Sequence, residues 1–155
     1  MLGNAGLTVM KKRSLRAKKP ISKEMLLPLA AHVVRQKSLE HHLALATLRS
    51  GKGGSNTVGR LFHSIYMAYF VHEATRGRVD LDVFRAAEAA LHEMAVAAKG
   101  NGVYEISGDG CTAVEQVLAI HDRRLESIPS HVIANAQKRL DRFLSTDDLS
   151  PIASA

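Results

Sequence analysis

"TVGRLFHSIYMAYFVHEA", residues 57–74, is the stretch whose reading decides the fold. Val58, Leu61, Phe62, Ile65, Tyr66, Tyr69 and Phe70 leave little of a helical surface polar. A helix that is apolar nearly all round is buried on most sides. This segment is therefore expected at the centre of the core, with other helices around it. The preceding "GKGGSN" (51–56) reads as a loop, and Ser55, Asn56 or Thr57 can cap the helix that follows.

On the N-terminal side, "LLPLAAHVVRQKSLEHHLALATLRSG" predicts a helix from Leu27–Pro28 to Arg49. Proline suits a first turn, and Gly51 is a stop signal. The apolar pattern is not one clean stripe, which predicts a bend near Lys37–Ser38.

On the C-terminal side, Asp80 is a fair N-cap. Leu81, Phe84, Ala87, Leu91, Met94 and Ala98 then recur at helical spacing until "KGNG". "VYEIS" (103–107) reads as a short extended piece, which pairs across a dimer, pairs with "GLTV" or serves as a linker. "TAVE" (112–115) has the pattern of a capping box. Val114, Val117, Leu118, His121, Leu125 and Ile128 follow on one stripe. Pro129 and Ser130 open a last helix with Val132, Ile133, Ala136, Leu140, Phe143 and Leu144 on its apolar side.

The fold class that follows is all-α: a compact bundle of about five helices with a disordered basic N-terminal arm. The expected division is an arm over residues 1–23, a helical domain over 24–145 and a flexible C-terminal tail over 146–155. At 155 residues the chain fits one domain and can bury a proper core.

Charge is distributed unevenly. Residues 1–23 carry seven of the 21 Lys+Arg and none of the 15 Asp+Glu. The remaining residues therefore hold 14 basic and 15 acidic groups, a net of −1. The basic groups of the arm are Lys11, Lys12, Arg13, Arg16, Lys18, Lys19 and Lys23. Clustered Lys and Arg neutralise phosphates and release counterions, so these seven are the candidate nucleic-acid-binding residues. No aromatic residue stands among them, which argues against base stacking and sequence reading. The competing reading is a solvated extension that serves solubility. An anionic membrane surface fits less well, because the run lacks Phe, Trp and a marked apolar face. Met10, immediately before the run, is a second candidate start.

The remaining chemistry-bearing residues read mostly as structural. Cys111 is the only cysteine, so a reducing, cytoplasmic setting is expected. The eight histidines lack the ligand spacing of a metal site. His41 and His42 are neighbours that point about 100° apart on a helix. His63 and His72 fall on opposite faces, and Glu88–His92 is a single i, i+4 pair. No metal ion, cofactor or catalytic residue is expected. His121, on its apolar stripe, reads as a packed histidine with a hydrogen-bond partner. A base role toward Cys111 requires proton transfer over about 15 Å of helix. "GKGGSNT" departs from the phosphate-loop pattern, since Lys52 precedes the glycines and a helix precedes the loop. Exposed N–H groups at the next helix start remain available to an anion. The last two helices form a weak helix-turn-helix candidate: they are long, and their connection lacks glycine.

Four segments resemble a group of short bacterial proteins associated with plasmids and prophages: the basic start with "KP", "HLALATLRSGKGGSNTVGRLFHSIYMA", "AAEAALHEM" and "VYEISGDGCTAVEQVLAIHDRRLESI". Some members of that group carry the label of transcriptional regulators. The resemblance implies a regulatory role and carries over no catalytic residues. The expectation is a small non-enzymatic accessory or regulatory protein that contacts nucleic acid non-specifically through its arm. The alternative is a homodimeric protein–protein interaction module with a solubilising tail. No membrane partner is expected.

Overall fold

The computed structural model describes residues 19–153. Among them are five α-helices: α1 Ala31–Arg49, α2 Ser55–Ala74, α3 Leu81–Asn101, α4 Gly108–Ser127 and α5 Ser130–Leu144. A 3-10 turn at Glu24–Leu26 precedes α1. The expected all-α bundle of five helices is the observed fold. Five of the candidate arm residues, Lys11, Lys12, Arg13, Arg16 and Lys18, lie outside the described residues, as does the expectation that the arm is disordered.

Helix α2 occupies the centre and packs against the other four helices. Ten of its residues are buried, among them the consecutive run Ile65–His72. No polar face remains over that run, which is what the continuous apolar pattern demands. Phe84, Ala87 and Leu91 of α3, Val114, Val117 and Leu118 of α4, and Ala136 and Leu140 of α5 close around it with no exposed area.

Several boundaries differ from the sequence expectation. Helix α1 begins at Ala31, not at Leu27–Pro28. Pro28 instead forms an antiparallel bridge to Pro129, and the Leu27 carbonyl accepts from the Ser130 amide at 2.8 Å. That pairing holds the chain extended. Helix α1 runs without a break in its helical assignment through Lys37–Ser38 to Arg49. Gly51, at φ 72°, supplies the left-handed residue after its end. Asp80 caps α3 as expected, accepting from the Asp82 amide at 3.0 Å.

The capping box at Thr112–Glu115 does not form. Helix α4 starts five residues earlier, with Ser107 in place of Thr112 as N-cap, accepting from the Gly110 amide at 3.0 Å. Thr112 is already inside the helix and donates to the Gly108 carbonyl. Residues 103–107 are irregular among the described residues, with Tyr104 and Ile106 packed on the core. The pairing partner "GLTV" lies outside the described residues.

The C-terminal segment does not fray over its described part. Ile152 is buried, Ser150 Oγ donates to Glu88 at 2.7 Å, and the Ala153 amide donates to the Tyr69 hydroxyl at 3.2 Å. Apolar and polar anchors together hold it on α2 and α3. On α5, Leu144 of the expected stripe is exposed while Ile133, Ala136 and Leu140 are buried. No helix among the described residues is long and apolar enough to cross a membrane.

Phe84→Ala removes a fully buried ring that touches Tyr69 and His72. It should lower unfolding stability by about 3–5 kcal/mol. Leu144→Ala, at an exposed site, should change stability by less than about 0.5 kcal/mol. Urea denaturation followed by circular dichroism measures both.

Candidate functional site

Beside α2, the first half of α2 and parts of α1, α4 and α5 enclose a cleft of about 770 Å³. Its polar walls come from two sides. Helix α1 contributes Lys37, Glu40 and His41, and the start of α2 contributes Ser55, Asn56, Arg60 and His63. His121 of α4 and Gln137 of α5 complete the lining. Gly54 at the N-cap position of α2 has no side chain to offer the first-turn amides, while Thr57 Oγ1 accepts from the Gly54 amide at 3.3 Å. Unpaired amides and a helix dipole thus lie at one edge of the cleft. Neither Lys37 nor Arg60 makes an ion pair among the described residues.

Next to the cleft stands a cluster that the sequence spacing does not reveal. Asp122 of α4 accepts from His41 Nε2 at 2.8 Å through one carboxylate oxygen. Its other oxygen accepts from His42 Nε2 at 2.8 Å and from Ser38 Oγ at 3.0 Å. A carboxylate only accepts, so Nε2 carries the proton in both rings. The spacing argument treats neighbouring histidines as divergent, yet both rings reach the same carboxylate, with ring centroids 5.0 Å apart. Long, rotatable imidazole side chains make up for the 100° between their Cα positions. Asp122 lies 81 residues from His41 in sequence, and only the packing of α1 on α4 brings the two together.

The electrostatics of the cluster follow from burial. Burial pushes His41 down against the pull of Asp122, and burial likewise lowers His63. His121 is pushed down to about 4, first by burial and then by the neighbouring His41. Burial raises Asp122, but the hydrogen bonds from His42, His41 and Ser38 outweigh it and hold the carboxyl below its ordinary value. His121 departs from the simple packed-histidine expectation. It is buried on the apolar stripe, but its Nδ1 has no hydrogen-bond partner among the described residues. Its ring lies 5.8 Å from that of His41.

The other histidines and the cysteine are not brought into this site. His72 is buried against Phe84 on the far side of α2, with the Cα of Gly77 so close that a Cβ there would strike the ring. The His92 ring lies against that of Phe62, with centroids 4.8 Å apart and planes tilted by 53°, while Glu88 accepts from Ser150. Cys111 faces Arg49 and Glu115 in a separate recess of about 220 Å³. It sits inside the first turn of α4, not just before it. Burial and Glu115 push its thiol up, so the thiolate expected of a helix N-terminus is disfavoured.

No family model, curated protein or solved structure matches the chain. The site must therefore be read from its own geometry. Of the seven candidate nucleic-acid contacts, Lys19 and Lys23 fall within the described residues, and both are exposed.

The buried histidines make stability depend on pH. The unfolded chain protonates His121 near pH 6.5, the folded one only near pH 4. The unfolded state thus binds the extra proton between these values, so stability is full above pH 6.5 and falls as pH is lowered toward 4. His121 should account for about 3 kcal/mol of that loss. Urea denaturation at pH 7 and 4.5, in buffer containing EDTA, should show the decline. His121→Leu should flatten it, leaving the smaller contributions of His41, His63 and His72.

Proposed function

We propose that the protein is a small cytoplasmic, non-enzymatic accessory or regulatory factor that contacts nucleic acid through residues 11–23, in the setting of a mobile genetic element. One observation carries this reading: seven basic and no acidic groups stand in residues 1–23, while the rest of the chain sums to −1. The positive field is therefore concentrated in one separable element, and it acts on phosphates without reading bases. The local fold supports the reading by giving that element a fixed origin. Just after Lys23, the Met25 carbonyl accepts from His131 Nδ1 at 2.9 Å and from Ser130 Oγ at 3.3 Å, which ties the chain to the start of α5.

With about six phosphates neutralised, log affinity should fall against log salt with a slope of about −5. A mobility-shift titration of the full chain measures it. Replacing all seven basic residues with Gln should abolish most binding and nearly all of the salt dependence. Equal binding by both proteins, or no binding at low salt, rules the reading out.

A second reading, a homodimeric interaction module, is favoured by Leu39 and Leu43. They lie one helical turn apart on α1 and are 60% and 55% exposed, and Val96 on α3 is 68% exposed. Light scattering that shows a monomer at every concentration would remove it.

A further inference from the structure

His41, His42 and Asp122 each offer a ligand atom within 4.8 Å of the others, and both Nε2 atoms stand 2.8 Å from the carboxylate. We propose that these three side chains form a binding site for a divalent first-row transition ion, for which zinc is the natural probe. The inference is independent of the nucleic-acid reading and rests on a different part of the chain.

Such an ion holds imidazole nitrogen at about 2.0–2.1 Å and carboxylate oxygen at about 2.0–2.2 Å. Ligand atoms then stand about 3.0–3.4 Å from one another around it, a separation that follows from those bond lengths in octahedral or tetrahedral geometry. Both Nε2 atoms already stand 2.8 Å from the carboxylate, within the spacing that a shared ion imposes. Two imidazoles and one carboxylate form a donor set that suits zinc and its divalent neighbours.

The surroundings meet the other requirements of such a site. Ser38 Oγ donates to Asp122 at 3.0 Å and fixes the carboxylate from behind. The His42 side chain is 42% exposed and that of Asp122 21% exposed, so an ion enters from solvent without opening the bundle. Each imidazole ligates through a deprotonated Nε2, and its one ring proton then sits on Nδ1, so no net proton is released from a neutral ring. Three protein ligands leave at least one coordination position to water or to an added ligand. Structural sites are closed by four ligands, so this is the pattern of an exchangeable site. His41 also lines the cleft, so the ion borders that space.

The test uses the full chain, stripped with EDTA and dialysed, then titrated with zinc chloride in a calorimeter and with cobalt(II) in a spectrophotometer. One ion per chain with micromolar or tighter Kd, a rise in Tm on zinc addition and weak visible cobalt bands are expected. His42→Gln, at a half-exposed site, should weaken binding at least tenfold while leaving the far-ultraviolet circular dichroism unchanged. Asp122→Asn should do at least as much, and Ser38→Ala should cost about tenfold. His131→Gln, on α5, should bind zinc like the parent. Absence of stoichiometric binding overturns the proposal, as does undiminished binding by folded His42→Gln. A sulfur-to-cobalt charge-transfer band also overturns it, because the ion would then sit on Cys111. If Asp122→Asn does not fold, His42→Gln alone decides.

Discussion

The burial of α2 on nearly every side is the constraint from which the rest follows. A helix with no polar face over two turns cannot lie at the surface, and four partners must enclose it. Helices α1, α3, α4 and α5 each turn apolar residues inward, and most of their charged groups lie on the outer faces, beside exposed Leu39, Leu43 and Val96. This explains why the body of the protein is near-neutral yet richly charged. Its acidic and basic groups meet in exposed pairs such as Arg49–Glu115 and Arg139–Glu73. Pairs of that kind contribute little to stability one by one. The energy of the fold lies in the core.

Around that core, polar side chains converge at one place above all. His41, His42, Ser38 and Asp122 join α1 to α4 through three hydrogen bonds to a single carboxylate. A charged acceptor of this kind is costly to bury without donors, and each donor it gains is worth more than a neutral one. The cluster therefore fixes the rotation of α1 against α4. Among the described residues the buried Nδ1 atoms of His72 and His121 have no partner, and His121 stands beside this cluster and lines the cleft.

The helices were legible in the sequence because their periodicity is local and strong. The central position of 57–74, the Asp80 cap, the α4 stripe and the end of α1 at Arg49 all followed from nearest-neighbour patterns. Boundaries set by contacts distant in sequence were not legible. Pro28 is drawn out of α1 by Pro129, and Ser107 takes the capping role that Thr112–Glu115 matched in pattern. The C-terminal segment reads as polar and frayed, yet Ile152 finds a place in the core. The histidine cluster was the least accessible. An adjacent pair gives no metal spacing, and Asp122 carries no mark in the sequence beyond standing at the edge of an apolar stripe. Only the juxtaposition of α1 and α4 reveals it.

The hydrogen bonds that tie Met25 and Leu27 to the start of α5 have a mechanical consequence. Any load on the basic stretch is carried into the corner between α4 and α5 by a short backbone pairing, not along the axis of α1. That pairing acts as a clasp. Opening it would loosen the chain from Glu24 to Ala30, whose seven residues span at most about 25 Å at full extension. The free length of chain ahead of α1 is thus set by these hydrogen bonds and by the packing of Leu29 on the core.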